Sequence, residues 1–307
     1  LCNLETKIVI FTATFLKETT MNTPFRFPSS DWALILGASS GFGAATAIEL
    51  ANHGMNIFGV HFDRAATMPN VQKIISEIEN AGSKAMFFNV NASDATRRNE
   101  TLDAIAKTFV EDSGGKGNPS NNVKVLMHSL AFGTLKAYIS ENPAEMLTQA
   151  QIEMTMDVMA NSIVYWSQGL ITRKLMRKGG RIFGMTSSGG NSALPFYGAV
   201  SAAKAALESH VRQLAMEVGK YGITANTILA GVTDTPALRK IPGSTDMLAV
   251  SLAKNPSGRL TLPGDVAKAI AMLSLDNAQF MSGGKIHVDG GEDIVQFVGQ
   301  KQVVPLK

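Results

Sequence analysis

The chain has 307 residues, 45% of them hydrophobic and 17% charged, enough for one large globular domain with ample core. A net charge of +3 without any run of five or six basic residues argues against a nucleic-acid partner. The single cysteine, Cys2, excludes an internal disulfide and a cysteine-based metal cluster, no apolar run reaches the ~18 residues of a membrane span, and a reducing, cytoplasmic setting is permitted.

Residues 1–29 read as an extension. The apolar run from Ile8 to Leu16 lacks a basic leader and a clear cleavage site, and Met21 opens the stretch leading into the first strand. Residues 1–20 are therefore expected to be an upstream, disordered extension, with a signal peptide as the alternative. Trp32 to Leu36 reads as a short apolar strand, followed by GASSGFG (Gly37 to Gly43) and a helix-forming run. Strand, glycine turn and helix together predict a dinucleotide site, with Gly37, Gly41 and Gly43 admitting a pyrophosphate to the backbone at the helix start.

The second strand, Asn56 to Phe62, ends in Asp63-Arg64. An acid there suits the ribose hydroxyls of NAD and an arginine the 2′-phosphate of NADP. With both present, Arg64 inclines the choice to NADPH, NADH remaining open. Val71, Ile74, Ile75 and Ile78 repeat at helical spacing, and a third strand, KAMFFNV, ends before Asn91-Ala92, which would sit beside the adenine. A helix with Leu102, Ile105, Ala106 and Phe109 inward closes in a Gly/Asn-rich surface loop.

The fourth strand, VKVLM, delivers HSLAF (His128 to Phe132). A long helix is expected from about Ala150 to Arg177, with the cations Arg173, Lys174, Arg177, Lys178 and Arg181 at its C-terminal end. The fifth strand, GGRIFGMTSS, carries Ser187 and Ser188 at its C-terminal end. Tyr197 then opens a helix to about Val218, with Ala203, Leu207, Val211, Leu214 and Val218 inward. A seven-residue step turns through roughly 700°, so Tyr197 and Lys204 share one face. A nearby cation is expected to lower the phenol's pKa and make Tyr197 a better proton donor. GITANTILAG and GGKIHVDGG supply the last two strands. Strands alternating with helices predict an α/β, Rossmann-type doubly wound parallel sheet of about seven strands in one domain, residues 30–293, with a tail at 294–307. The five histidines show no metal-ligand spacing with Cys or carboxylates, so no metal is expected.

Six motifs in order, GASSGFG, Asn91-Ala92, HSLA, the Tyr/Lys helix, AGVTDT (Ala230 to Thr235) and VDGG (Val288 to Gly291), resemble the short-chain dehydrogenase/reductase family. The common ketoreductase form has Tyr four residues before Lys, where this chain has Val200, and a catalytic Asn where this chain has Met159. Asn161 points about 200° away from Met159 and is a poor substitute. The seven-residue spacing, HSLAF and AGVTDT are similar to the enoyl-acyl-carrier-protein reductases, in their NADPH-linked, ketoreductase-like branch.

That resemblance implies NAD(P)H-dependent reduction of a trans-2-enoyl thioester in fatty-acid synthesis, an acyl-carrier-protein or coenzyme A thioester as substrate, and a homotetramer. It implies cofactor contacts from Gly37, Ser39, Ser40, Gly41, Phe42, Gly43, Asp63, Arg64, Asn91, Ala92, Ser129, Ala131 and Lys204. Gly231 and Val232 would present backbone to the nicotinamide amide and Thr235 a hydroxyl. Tyr197 would hydrogen-bond the thioester oxygen, and Ser187 or Ser188 either assists it or serves the turn. Residues 236–258 read as a substrate lid, with Phe132, Tyr197, Leu238, Ile241 and Met247 against the acyl chain, or as ordinary core cover. Arg239, Lys240 and Lys254 would meet an acidic carrier protein or form a solvated face. The alternatives are a 3-ketoacyl or other carbonyl reductase and, more remotely, a non-catalytic NAD(P) sensor.

Overall fold

The computed structural model describes residues 25–112 and 120–296; the expectations for residues 1–24, for 113–119 and for the tail beyond 296 lie outside the described residues. In chain order it runs β1 (Asp31–Leu36), α1 (Gly41–Asn52), β2 (Asn56–His61), α2 (Met68–Asn80), β3 (Ala85–Asn89), α3 (Ala95–Glu111) and β4 (Asn122–His128). It continues through α4 (Gln149–Met156), α5 (Ser162–Thr172), β5 (Arg181–Thr186), α6 (Gly198–Val218), β6 (Thr224–Ala230), α7 (Ser244–Lys254), α8 (Pro263–Leu273) and β7 (Lys285–Val288). The seven strands form one parallel sheet in the order β3-β2-β1-β4-β5-β6-β7.

Every residue of β2, β4 and β5 is buried, as a parallel sheet covered on both faces requires. Side-chain alternation sorts the core into two layers. Trp32, Leu34 and Leu36 of β1 point into the layer under α3, α5 and α6, whereas Ala33 and Ile35 point into the layer under α1, α2 and α8. The chain leaves β1 towards β2 and β3 and then returns to its other side as β4. The C-terminal ends of β1 and β4 therefore flank the topological switch point, where such sheets bind ligands.

The expected long helix from Ala150 to Arg177 is corrected to α4, a π turn at Asp157–Asn161, and α5. Thr155 Oγ1 donates back to the Gln151 carbonyl and Ser162 Oγ to the Val158 carbonyl, contacts of a kind that bend a helical ladder. The helix also ends earlier, at Thr172, where Lys174 takes a left-handed φ of 57° and Leu175 and Met176 turn into the core. Arg181 is not a cation at a helix end. It lies in β5, 1% exposed, and its guanidinium donates to the carbonyls of Gly179, Gly180, Leu273 and Leu275, tying β5 to the end of α8. No helix among the described residues is long and apolar enough to cross a membrane.

Candidate active site

The glycine turn between β1 and α1 is open where a ligand would have to enter. Gly41 has φ of 54°, and a Cβ built on it would meet only the Thr235 side chain, at 3.6 Å. Ser40, the residue capping α1, makes no side-chain capping bond, and the first turn holds no acid. The helix N-terminus is thus left without a protein counter-charge, and these residues fit a pyrophosphate. Phe42 and Gly43 complete the turn, and the Ser129 carbonyl lies against Gly37.

Asp63 turns inward. Its carboxylate meets His61 Nδ1 at 3.1 Å, and partial burial, which acts to raise it, is outweighed by hydrogen bonds from Ser39, Thr67 and His61, leaving it below the usual carboxylate range. Asn89 fixes the Asp63 backbone from both sides, and Arg64 is exposed. Asn91 folds its side chain back onto Ser93, while the carbonyl of buried Ala92 accepts from Trp166 Nε1. Ala131 and Phe132 are exposed.

Tyr197 stands one residue before α6, with its carbonyl accepting the Ser201 N–H at 2.8 Å. It is the entry to the helix rather than part of its first turn. Phe196 before it takes a left-handed φ of 62°, a local strain of about 1–3 kcal/mol that directs the ring inward. Gly189 lies under that ring, and a Cβ there would fall 2.6 Å from Tyr197 Cε1. Lys204 is buried and its Nζ donates to the Met185 carbonyl at the end of β5, 2.7 Å away.

The electrostatics differ from expectation. Burial raises the Tyr197 phenol above its ordinary value and a hydrogen bond with Ser187 opposes it; the lowering expected from Lys204 is not what governs this group. Burial also pulls the Lys204 ammonium down to about 8, against the upward pull of Glu208. Ser187 caps the short turn Ser188–Gly190 through Gly189 N–H, while the Ser188 carbonyl accepts from Ser192. Ser187 is therefore the serine beside the phenol.

The two ketoreductase positions are apolar and adjacent. Met159 and Val200, with the Thr155 methyl, close over Gly133, within 2.8–2.9 Å of where its Cβ would stand. Asn161 is committed elsewhere, to His210 at 3.1 Å.

In the loop after β6, Val232 N–H is taken by both oxygens of Glu292, at 3.3 Å each, so it does not stand free as expected. Thr235 Oγ1 accepts from Leu238 N–H. Residues 236–258 are more ordered than a Pro/Gly/Ser loop: a 3₁₀ turn at Leu238–Lys240 precedes α7, whose sole buried residue is Ser251. Leu238 is buried, Ile241 packs on the layer that holds Tyr197, and Met247 is half-buried. Arg239 is bound bidentately by Asp234 and is not a free cation.

Two buried carboxylates, Glu208 and Glu292, escaped the sequence reading, and buried His128 was read only as the opening of HSLAF and one of five histidines without metal-ligand spacing. Glu208 sits one turn after Lys204, Glu292 holds the loop after β6, and His128 Nε2 meets Ser162 Oγ at 2.8 Å. The signal for Glu208 was an acid directly after Leu207 on a helix stripe otherwise apolar. Among the described residues no group of His, Cys, Asp and Glu has a metal-binding arrangement.

The family model described as Enoyl-(Acyl carrier protein) reductase matches residues 37–292. The chain is 30% identical over 281 residues to 1-cyclohexenylcarbonyl-CoA reductase of Streptomyces collinus, covering 90% of this chain and 92% of that one. It is 28% identical over 259 residues to 3-oxoacyl-[acyl-carrier-protein] reductase of Escherichia coli strain K12, covering 84% and 96%. Among solved structures it shares the fold of enoyl-[acyl-carrier-protein] reductase (NADH) from Aquifex aeolicus, with TM-score 0.71, 24% identity, and coverage of 87% and 98%.

Proposed function

Because the chain belongs to the short-chain dehydrogenase/reductase family, we propose that it reduces the 2,3-double bond of an enoyl thioester at the expense of NAD(P)H. One observation carries the choice of bond: Met159 and Val200 fill the two ketoreductase positions with apolar side chains that close over Gly133, while the phenol of Tyr197 stands at the entry of α6 beside Ser187. The 1-cyclohexenylcarbonyl-CoA reductase of Streptomyces collinus supports this reading, since a 1-cyclohexenylcarbonyl thioester has its double bond conjugated to the carbonyl. A bound reduced nicotinamide would supply hydride to C3 of the substrate, and the resulting enolate would take its proton at C2 from solvent or a relayed proton.

The residues of the chain do the rest. A phenol held well above neutral pH stays protonated, so Tyr197 donates a hydrogen bond to the thioester oxygen as negative charge gathers there. In enoyl reduction that oxygen is three bonds from the carbon receiving hydride, against one in carbonyl reduction, which matches an acid displaced one helical turn from Val200. Ser187 orients the phenol, and Lys204 holds the ribose hydroxyls of the cofactor from the end of β5. Leu238, Ile241, Met247 and exposed Phe132 line the acyl chain's path, with α7 as the lid over it.

The inward carboxylate of Asp63 would repel a 2′-phosphate and accept from ribose hydroxyls, which favours NADH over the NADPH that Arg64 alone suggested. The 3-oxoacyl relatives support a second reading, carbonyl reduction. Oxidation of NADH and NADPH with crotonyl, longer trans-2-enoyl and acetoacetyl thioesters separates the two. Turnover of the enoyl substrates with NADH is expected; turnover confined to acetoacetyl thioester overturns the proposal.

A further inference from the structure

Glu208 is a carboxylate buried in an apolar helix face, and burying one is costly unless each oxygen is partnered. Both are. Thr186 Oγ1 at the end of β5 donates to Glu208 Oε1 at 2.7 Å, and Lys285 Nζ at the start of β7 lies 3.0 Å from Oε2. Thr186 follows Met185, whose carbonyl receives the Lys204 ammonium. The carboxylate and the ammonium therefore grip adjacent residues of one strand end from successive turns of α6. The Ser188–Gly190 turn lids both, since a Cβ on Gly190 would stand 3.3 Å from Lys204 Cβ and 3.6 Å from Glu208 Oε1.

We propose that Glu208 is a positioning residue for Lys204, set against the strand end that receives the ammonium so that its negative charge keeps this buried ammonium protonated. The groups facing Lys204 leave few alternatives. From β4, His128 is held neutral by burial and by Lys204 itself and contributes no charge. At the start of α6, Tyr197 is a protonated phenol. From β7, Lys285 is a like charge that its pairing with Glu208 offsets. Glu208 is the anion that acts on Lys204, upward and against burial.

The inference rests on the proposed role of Lys204, yet it is tested without turnover. In full-length, cofactor-free protein carrying lysine labelled with ¹³C at Cε, the Lys204 resonance, assigned by its loss in Lys204→Met, is followed against pH by NMR. Glu208→Gln is expected to move the titration about one unit towards acid, so that at a fixed pH below the midpoint the free amine is about tenfold more populated. Thr186→Val removes the hydrogen bond but keeps the charge and is expected to leave the midpoint in place. An unmoved midpoint in Glu208→Gln, or an equal shift in Thr186→Val, overturns the proposal. If Glu208→Gln does not fold, Glu208→Asp, which keeps the charge but draws it back by one methylene, still decides: a Lys204 midpoint moved part of the way towards acid is expected, and an unmoved one overturns the proposal. None of these outcomes depends on which thioester is turned over.

Discussion

At the scale of single residues the proposed mechanism turns on one phenol and what surrounds it. Tyr197→Phe removes the hydrogen-bond donor without changing the ring's packing. It is expected to lower kcat by about 10²–10³-fold while the cofactor dissociation constant, read by fluorescence titration, stays within about threefold. Gly189→Ala tests the floor under the ring. A methyl 2.6 Å from Cε1 of a buried ring cannot be absorbed by rotation of a flexible tip, so the phenol must shift, and kcat should fall at least ~10-fold with the fold intact by circular dichroism. Asp63→Asn addresses cofactor choice. Removing the inward charge should raise the ratio of kcat/KM for NADPH over NADH by about tenfold, and an unchanged ratio would place discrimination elsewhere.

At the scale of elements, the strands and the glycine turn were legible because each is written locally. Short strand-length runs bounded by turn residues and alternating with helical periods read as the strands of a parallel sheet, and all seven were found to within three residues at either end. The helix after β4 was not, because neither its π turn at Asp157–Asn161 nor the left-handed Lys174 that ends it has a periodic signature. Arg181 was misread for the same reason. Its four carbonyl partners come from segments up to 94 residues away in sequence, and only folding brings them together. The candidate site shows the same division. Tyr197, Lys204 and Asp63 could be read from spacing, whereas the grip of Glu292 on Val232 and of Glu208 on Thr186 depends on contacts between distant elements. Arg181→Met cuts this contact and takes the guanidinium from four carbonyls, of which Gly180 and Leu275 keep a backbone N–H from Thr224 and Ala278, so a loss of about 2–4 kcal/mol in urea unfolding is expected, with activity retained below the new midpoint.

At the scale of the whole molecule, buried histidine sets how stability responds to acid. His128 is completely enclosed, and burial, with Lys204 nearby, brings its pKa from an ordinary 6.5 down to about 3. The unfolded chain therefore takes up a proton on this ring below pH 6.5, while the folded chain does so only near pH 3. More protons are bound by the unfolded state throughout that window, so stability rises with pH across it and is lost as pH falls from 6.5 towards 3. Half-buried His210, also lowered by burial, acts with the same sign, whereas Glu292, raised by burial, acts against it near the carboxylate range. The interval from pH 6.5 to about 5 isolates the histidines. Urea unfolding there should give a wild-type stability that declines by up to about 1.4 kcal/mol per pH unit on account of His128, with His210 adding in the same direction, and His128→Gln should remove the His128 share of that slope. The same slope in His128→Gln as in wild type would mean that the ring takes a proton in the folded state. It would then be a second cation beside Lys204, and the neutral state assigned to His128 beside that ammonium would have to be abandoned.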